Sequence, residues 1–117
     1  MLETPPVQMY YGSEVPIDFL KENLRKAGIL MSQGATEEAM SLSDRVIRFY
    51  ESTPIVLRTL SEMQQTMLNQ ARILEEAYQI GYMALNKLKP EEAKKMNKTY
   101  KEMREWREIL EQTIPKS

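Results

Sequence analysis

Asn23-Leu24-Arg25-Lys26-Ala27-Gly28-Ile29-Leu30-Met31-Ser32-Gln33-Gly34-Ala35-Thr36-Glu37-Glu38-Ala39-Met40 is the stretch that decides the fold class. Apolar residues recur at helical spacing on both sides of Gln33-Gly34, which predicts two helices joined by a tight break. Ala27 and Ala39 are the small residues that a close helix–helix crossing requires. The hairpin continues to Phe49-Tyr50, so residues 23–50 read as one helical unit.

Upstream, residues 1–13 contain Pro5, Pro6, Tyr10, Tyr11, Gly12 and Ser13 without a sustained period, and they read as a flexible arm. Val15-Pro16 marks a helix start, because proline's missing donor is not needed in the first turn. Ile17, Leu20, Leu24, Ala27 and Met31 then mark one face of a first helix that ends at Gly34. Thr36 is placed to cap the second helix, with Glu37 and Glu38 where negative charge is favoured. Its inward face is Ala39, Leu42 or Ser43, Val46 and Phe49 or Tyr50.

Ser52-Thr53-Pro54 repeats the start signal and predicts a third helix from about Pro54 to Leu88, roughly 50 Å long. Leu60, Met67, Leu74, Gly81 and Leu88 recur every seven residues, as do Leu57, Gln64, Ala71, Tyr78 and Leu85. They form a coiled-coil-like seam. Lys89-Pro90-Glu91-Glu92 opens a fourth helix to about Gln112, with Ala93, Met96, Tyr100, Met103 and Leu110 inward. Short connections favour antiparallel neighbours. The expected fold is all-α, a four-helix bundle or short helical array over residues 14–114.

The 117 residues contain no Cys and no His, which removes disulfides, thiolate nucleophiles, sulfur-ligated zinc and the side chain that titrates nearest neutral pH. No EF-hand spacing appears, so neither metal nor cofactor is expected, and the chain reads as a non-enzyme. A net charge of −1 argues against nucleic-acid binding. No apolar run is long enough to span a membrane. Met1-Leu2-Glu3-Thr4-Pro5-Pro6-Val7 has neither the basic region nor the apolar stretch of a secretory signal, so a cytoplasmic location is expected. Residues 1–53 carry 5 basic and 8 acidic side chains, and residues 54–117 carry 11 and 9. Lys87, Lys89, Lys94, Lys95, Lys98 and Lys101 read as a solvated helix face, or as a docking strip for an acidic partner.

Ala27, Gly34 and Ala39 stand at the separations of a tetratricopeptide (TPR) repeat, and the hairpin resembles one. Gly81 and Ala93 repeat the twelve-residue spacing around Lys87-Leu88-Lys89-Pro90-Glu91-Glu92. Phe19-Leu20-Lys21-Glu22, Gln33-Gly34 and Pro54-Ile55-Val56-Leu57-Arg58-Thr59-Leu60 look like the single-repeat presequence import receptors of the mitochondrial outer membrane. MIT domains share the Gly-x-x-x-Glu-Ala phrase. These likenesses imply a groove for a partner helix. Leu24-Arg25 with Ser43-Asp44-Arg45-Val46-Ile47 and Tyr50 also resembles the two-helix aspartyl-phosphate phosphatases that regulate sporulation. That likeness implies that Asp44 acts on a response regulator.

Nine methionines are many for this length. Unbranched thioethers fill irregular cores and also line adaptable grooves. A groove between the first two helices and the start of the third is expected, lined or supported by Leu24, Ala27, Leu30, Met31, Met40, Ile47 and Leu57. Ile73, Ile80 and Met83 lie off the seam, where a contiguous exposed apolar strip marks an interface. A partner or homodimer contact through the third helix is therefore expected at Ile73 and Ile80. Glu75, Glu76, Glu105 and Glu108 read as solvating charge. The leading expectation is a helical protein–protein interaction module (an adaptor, chaperone or regulatory subunit) for an amphipathic helix or peptide. The alternatives are the phosphatase regulator and a structural subunit of a helical assembly.

Overall fold

A computed structural model describes residues 9–115, and its four helices pack against one another. They are α1 (Ile17–Ser32), α2 (Thr36–Ser52), α3 (Leu60–Leu88) and α4 (Pro90–Thr113). Two short strands, β1 (Tyr10–Tyr11) and β2 (Ile55–Val56), pair in parallel, with Tyr10 opposite Ile55 and Tyr11 opposite Val56. A single 3₁₀ turn, Gly12–Glu14, leads from β1 toward α1. The whole is a slab of 50 × 42 × 23 Å. Residues 1–8 of the expected arm, and Lys116 and Ser117 of the tail, lie outside the described residues.

Gly34 turns the chain between α1 and α2 with φ at 79°, a region that costs any residue with a Cβ. Its N–H donates to the Met31 carbonyl at 3.1 Å, and the Ala35 N–H donates to the Leu30 carbonyl at 2.8 Å. This pair of bonds is the Schellman closure, which satisfies carbonyls that the helix end would leave open. Thr36 is not the cap expected from the sequence. Ala35 holds the cap position without a side-chain bond, and the Thr36 hydroxyl donates back to the Gly34 carbonyl at 3.4 Å.

The third helix starts six residues later than Pro54. Residues 54–59 are instead non-helical, with Ile55 and Val56 paired to β1, and the Tyr10 N–H donates to the Pro54 carbonyl at 3.2 Å. The effective start signal is Thr59-Leu60-Ser61-Glu62. Thr59 Oγ1 accepts the Glu62 N–H at 3.0 Å. In the usual reciprocal bond, the glutamate reaches back to the capping residue's own N–H. Here it accepts the N–H of Arg58 at 2.7 Å and that of Ser13 at 3.0 Å.

The Arg58 guanidinium also bonds Glu62, at 2.9 Å, and lies 3.9 Å over the Tyr11 ring. The guanidinium and the two backbone donors hold the Glu62 carboxyl well below the usual carboxylate range. Its contribution is therefore present at neutral pH and is lost only as pH falls below that range. One carboxylate thus ties the N-terminal strand segment to the head of α3.

α3 is continuous through Gly81, with 29 residues and a length of roughly 43 Å. Lys89 alone separates it from α4, which opens with Pro90 in its first turn. The main core joins Leu20, Leu24 and Ala27 of α1, Ala39, Val46 and Ile47 of α2, and Ile73, Leu74, Ala77 and Ile80 of α3. A smaller cluster joins Leu68 and Ala71 of α3 to Leu110 of α4, with Met67, Trp106 and Ile114 against it.

Ile73 and Ile80 are therefore not an exposed strip. They are 2% and 8% exposed and sit under the α1–α2 hairpin. α3 is covered on more than one side, as a helix with more than one apolar face must be. A homodimer contact resting on these two residues has no free surface, and only Met83 of the three remains exposed.

Candidate functional site

The surface expected between α1, α2 and the start of α3 is closed by α3 itself. Leu24, Ala27, Ile47, Ile73 and Ile80 belong to one core, with Leu30 and Met31 half-buried against it. Leu57 precedes α3 in extended chain, is 42% exposed, and stands apart from the others. Met40 and Ile47 instead reach a different concavity, where α2 faces α4 across α3.

This groove holds about 380 Å³. α2 supplies Glu37, Met40, Ser41, Ser43, Asp44 and Ile47, and α4 supplies Met96. Its existence depends on two small residues. A Cβ placed on Gly81 would lie 3.3 Å from Met96 Cε, 3.5 Å from Met96 Sδ and 3.6 Å from Ser43 Oγ. At Gly81, side chains of both α2 and α4 therefore reach the backbone of α3. Ser43 is buried, and its hydroxyl donates to the Met40 carbonyl at 2.9 Å, so it adds no unpaired polar group to the site. The side chains nearest the floor are a thioether, a methylene-bound hydroxyl turned onto its own helix, and a hydrogen.

Glu37 and Asp44 are the charged residues lining the groove. Asp44 is 47% exposed and meets Arg48 Nε at 2.7 Å, one turn further along α2. Of the Ser43-Asp44 pair in the phosphatase-like phrase, only Asp44 is accessible. Met96 was legible as an inward residue of the fourth helix. That it stands over Gly81 was not, because the two are related only through the packing of α4 on α3.

Elsewhere the charges do structural work that sequence spacing did not reveal. Glu75 is bonded by Arg107 through Nε at 2.7 Å and Nη2 at 3.0 Å, so it is not solvating charge. Arg107 also reaches Glu111 at 3.3 Å, and Arg72 bonds the other Glu111 oxygen at 3.0 Å. Arg72 and Arg107 together hold the Glu111 carboxyl below its ordinary value. The six lysines from Lys87 to Lys101 are all exposed, and Lys94 meets Glu91 at 3.3 Å.

Among the described residues, no group of three or more acidic side chains is placed to hold a metal ion, and no helix is long and apolar enough to cross a membrane. The chain matches no protein-family model, no curated protein and no solved structure.

Proposed function

We propose that this chain is a non-enzymatic protein–protein interaction module that seats a helical segment of a partner in the groove between α2 and α4. The observation that carries the reading is the apolar lining of that groove. Met40, Ile47 and Met96 converge over a floor kept low by Gly81 and Ser43. Helix-in-groove recognition uses apolar anchors on successive turns of the incoming helix. Methionine suits the receiving side because its thioether adapts to different anchors at small cost. The resemblance of the α1–α2 hairpin to a TPR repeat supports the same class of job.

Methyl-labelled methionine provides the test. An 18-residue amphipathic peptide with leucine anchors is expected to shift the Met40 and Met96 methyl resonances and leave those of Met9 and Met83 unmoved. Met40→Ser is expected to weaken binding about tenfold, near 1.4 kcal/mol, with helicity by circular dichroism unchanged. Shifts confined to methionines outside the groove, or no shift at millimolar peptide, overturn the reading.

One observation favours a second reading, action on an aspartyl-phosphate. The Asp44 carboxylate is accessible at the rim of the groove. Incubation with a phosphorylated receiver domain is then expected to accelerate phosphate loss, and Asp44→Ala to abolish the acceleration. An unchanged rate excludes it.

A further inference from the structure

We infer that the segment seated in the α2–α4 groove is a basic amphipathic helix lying along α2. This rests on the groove reading above and adds the sign and direction of the partner.

The charged residues lining the groove are both carboxylates, Glu37 and Asp44. They stand seven residues apart on α2, as do Met40 and Ile47. Seven residues span about 10.5 Å along a helix and return to nearly the same face. An acidic row and an apolar row therefore run side by side for two turns. An incoming helix seats an apolar residue against Met40, the accessible member of the second row, while Ile47, 5% exposed, backs it from the core. Lysine or arginine at the seven-residue interval matches the first, the arrangement by which flanking charges select partners in coiled coils.

α4 carries Lys94, Lys95, Lys98 and Lys101, all exposed, but none of them lines the cavity, and helical spacing puts Lys94, Lys98 and Lys101 on the face of α4 opposite Met96. The carboxylates that line the groove both belong to α2, so the favourable position for the basic residues of a guest is over α2. Arg48 already neutralises part of Asp44, but it is an exposed pair one turn apart, which an incoming cation displaces at little cost. A volume of 380 Å³ admits the anchoring side chains while the backbone of the guest rides above them. Gly81 and Ser43 at the floor set that depth.

Two synthetic peptides of 18 residues test the inference on the full chain. Both carry the same leucine heptads, and one has lysine where the other has glutamate at the flanking positions. By fluorescence anisotropy in 50 mM NaCl, the lysine peptide is expected to bind at least tenfold more tightly. The advantage is expected to shrink severalfold in 300 mM NaCl, as screening requires. Glu37→Lys with Asp44→Lys is expected to reverse the preference. Glu37→Gln with Asp44→Asn, which leaves that row uncharged, is expected to erase it. Equal affinity for both peptides with Met40 still required overturns the charge assignment and leaves the groove standing. Failure of both peptides to bind overturns the groove and, with it, this inference. Peptide-induced self-association of the chain, read by light scattering, assigns the surface to a second copy and also overturns it.

Discussion

The α1–α2 side of α3 and its α4 side are held together by different chemistry. Toward α1 and α2, α3 buries Ile73, Leu74, Ala77 and Ile80 against a continuous apolar core. Toward α4, the buried cluster is Leu68, Ala71 and Leu110, and α4 has only Ala93 and Leu110 buried. What α4 lacks in burial is supplied by the Arg107–Glu75 fork and its links to Glu111 and Arg72. Apolar burial is non-directional and is not weakened by electrostatic screening, whereas ion pairs near the surface are directional and screened. One helix therefore carries an apolar joint on one face and, on another, a joint that adds screened ion pairs to a smaller apolar cluster. The groove lies where the two sides meet.

Truncation of a core leucine measures this contrast directly. Leu24→Ala, at a residue 1% exposed, is expected to cost about 3 kcal/mol, while Leu110→Ala, at 9% in the smaller cluster, is expected to cost about 2 kcal/mol. Urea denaturation compares them, and equal losses would remove the distinction between the two sides. Arg107→Met retains the aliphatic stem and leaves Glu75 without its fork. The expected loss is about 1 to 2 kcal/mol, shrinking in high salt. A salt-independent loss would show that the stem's packing, not the ion pair, holds α4.

Gly34→Ala examines the turn that aligns the apolar side. The expected cost is about 1 kcal/mol from the left-handed backbone alone, because a Cβ there meets nothing within 4 Å. Tyr50→Phe is the smallest change and has the opposite sign. The Tyr50 hydroxyl is buried without a hydrogen-bond partner among the described residues, and burial pushes its pKa up to about 12. Removing it is expected to raise stability by up to about 1 kcal/mol, read as a higher Tm. A fall would show that the hydroxyl has a partner.

Helical periodicity was legible because amphipathic spacing is a local property. The starts at Pro16 and Pro90, the stop at Gly34, and the inward positions Leu20, Leu24, Ala27, Ala39, Val46 and Leu110 all follow from residues within a few turns of one another. The start of α3 shows where local signals mislead. Ser52-Thr53-Pro54 and Thr59-Leu60-Ser61-Glu62 both have the chemistry of a helix start. Pairing of Ile55 and Val56 with β1, some 45 residues upstream, selects the second. Ile73 and Ile80 show the same limit in the core. Periodicity identifies an apolar strip, but only the placement of the α1–α2 hairpin determines whether that strip faces solvent.

From residue order alone came four amphipathic helices, the break at Gly34 and the small residues at 27, 39 and 81, since each depends on neighbours along the chain. The groove between α2 and α4, the Glu75–Arg107 fork and the position of Met96 over Gly81 were decided by tertiary structure. Each requires side chains from separate helices to share one space, and free energy of that kind is a property of the packed molecule that no single segment contains.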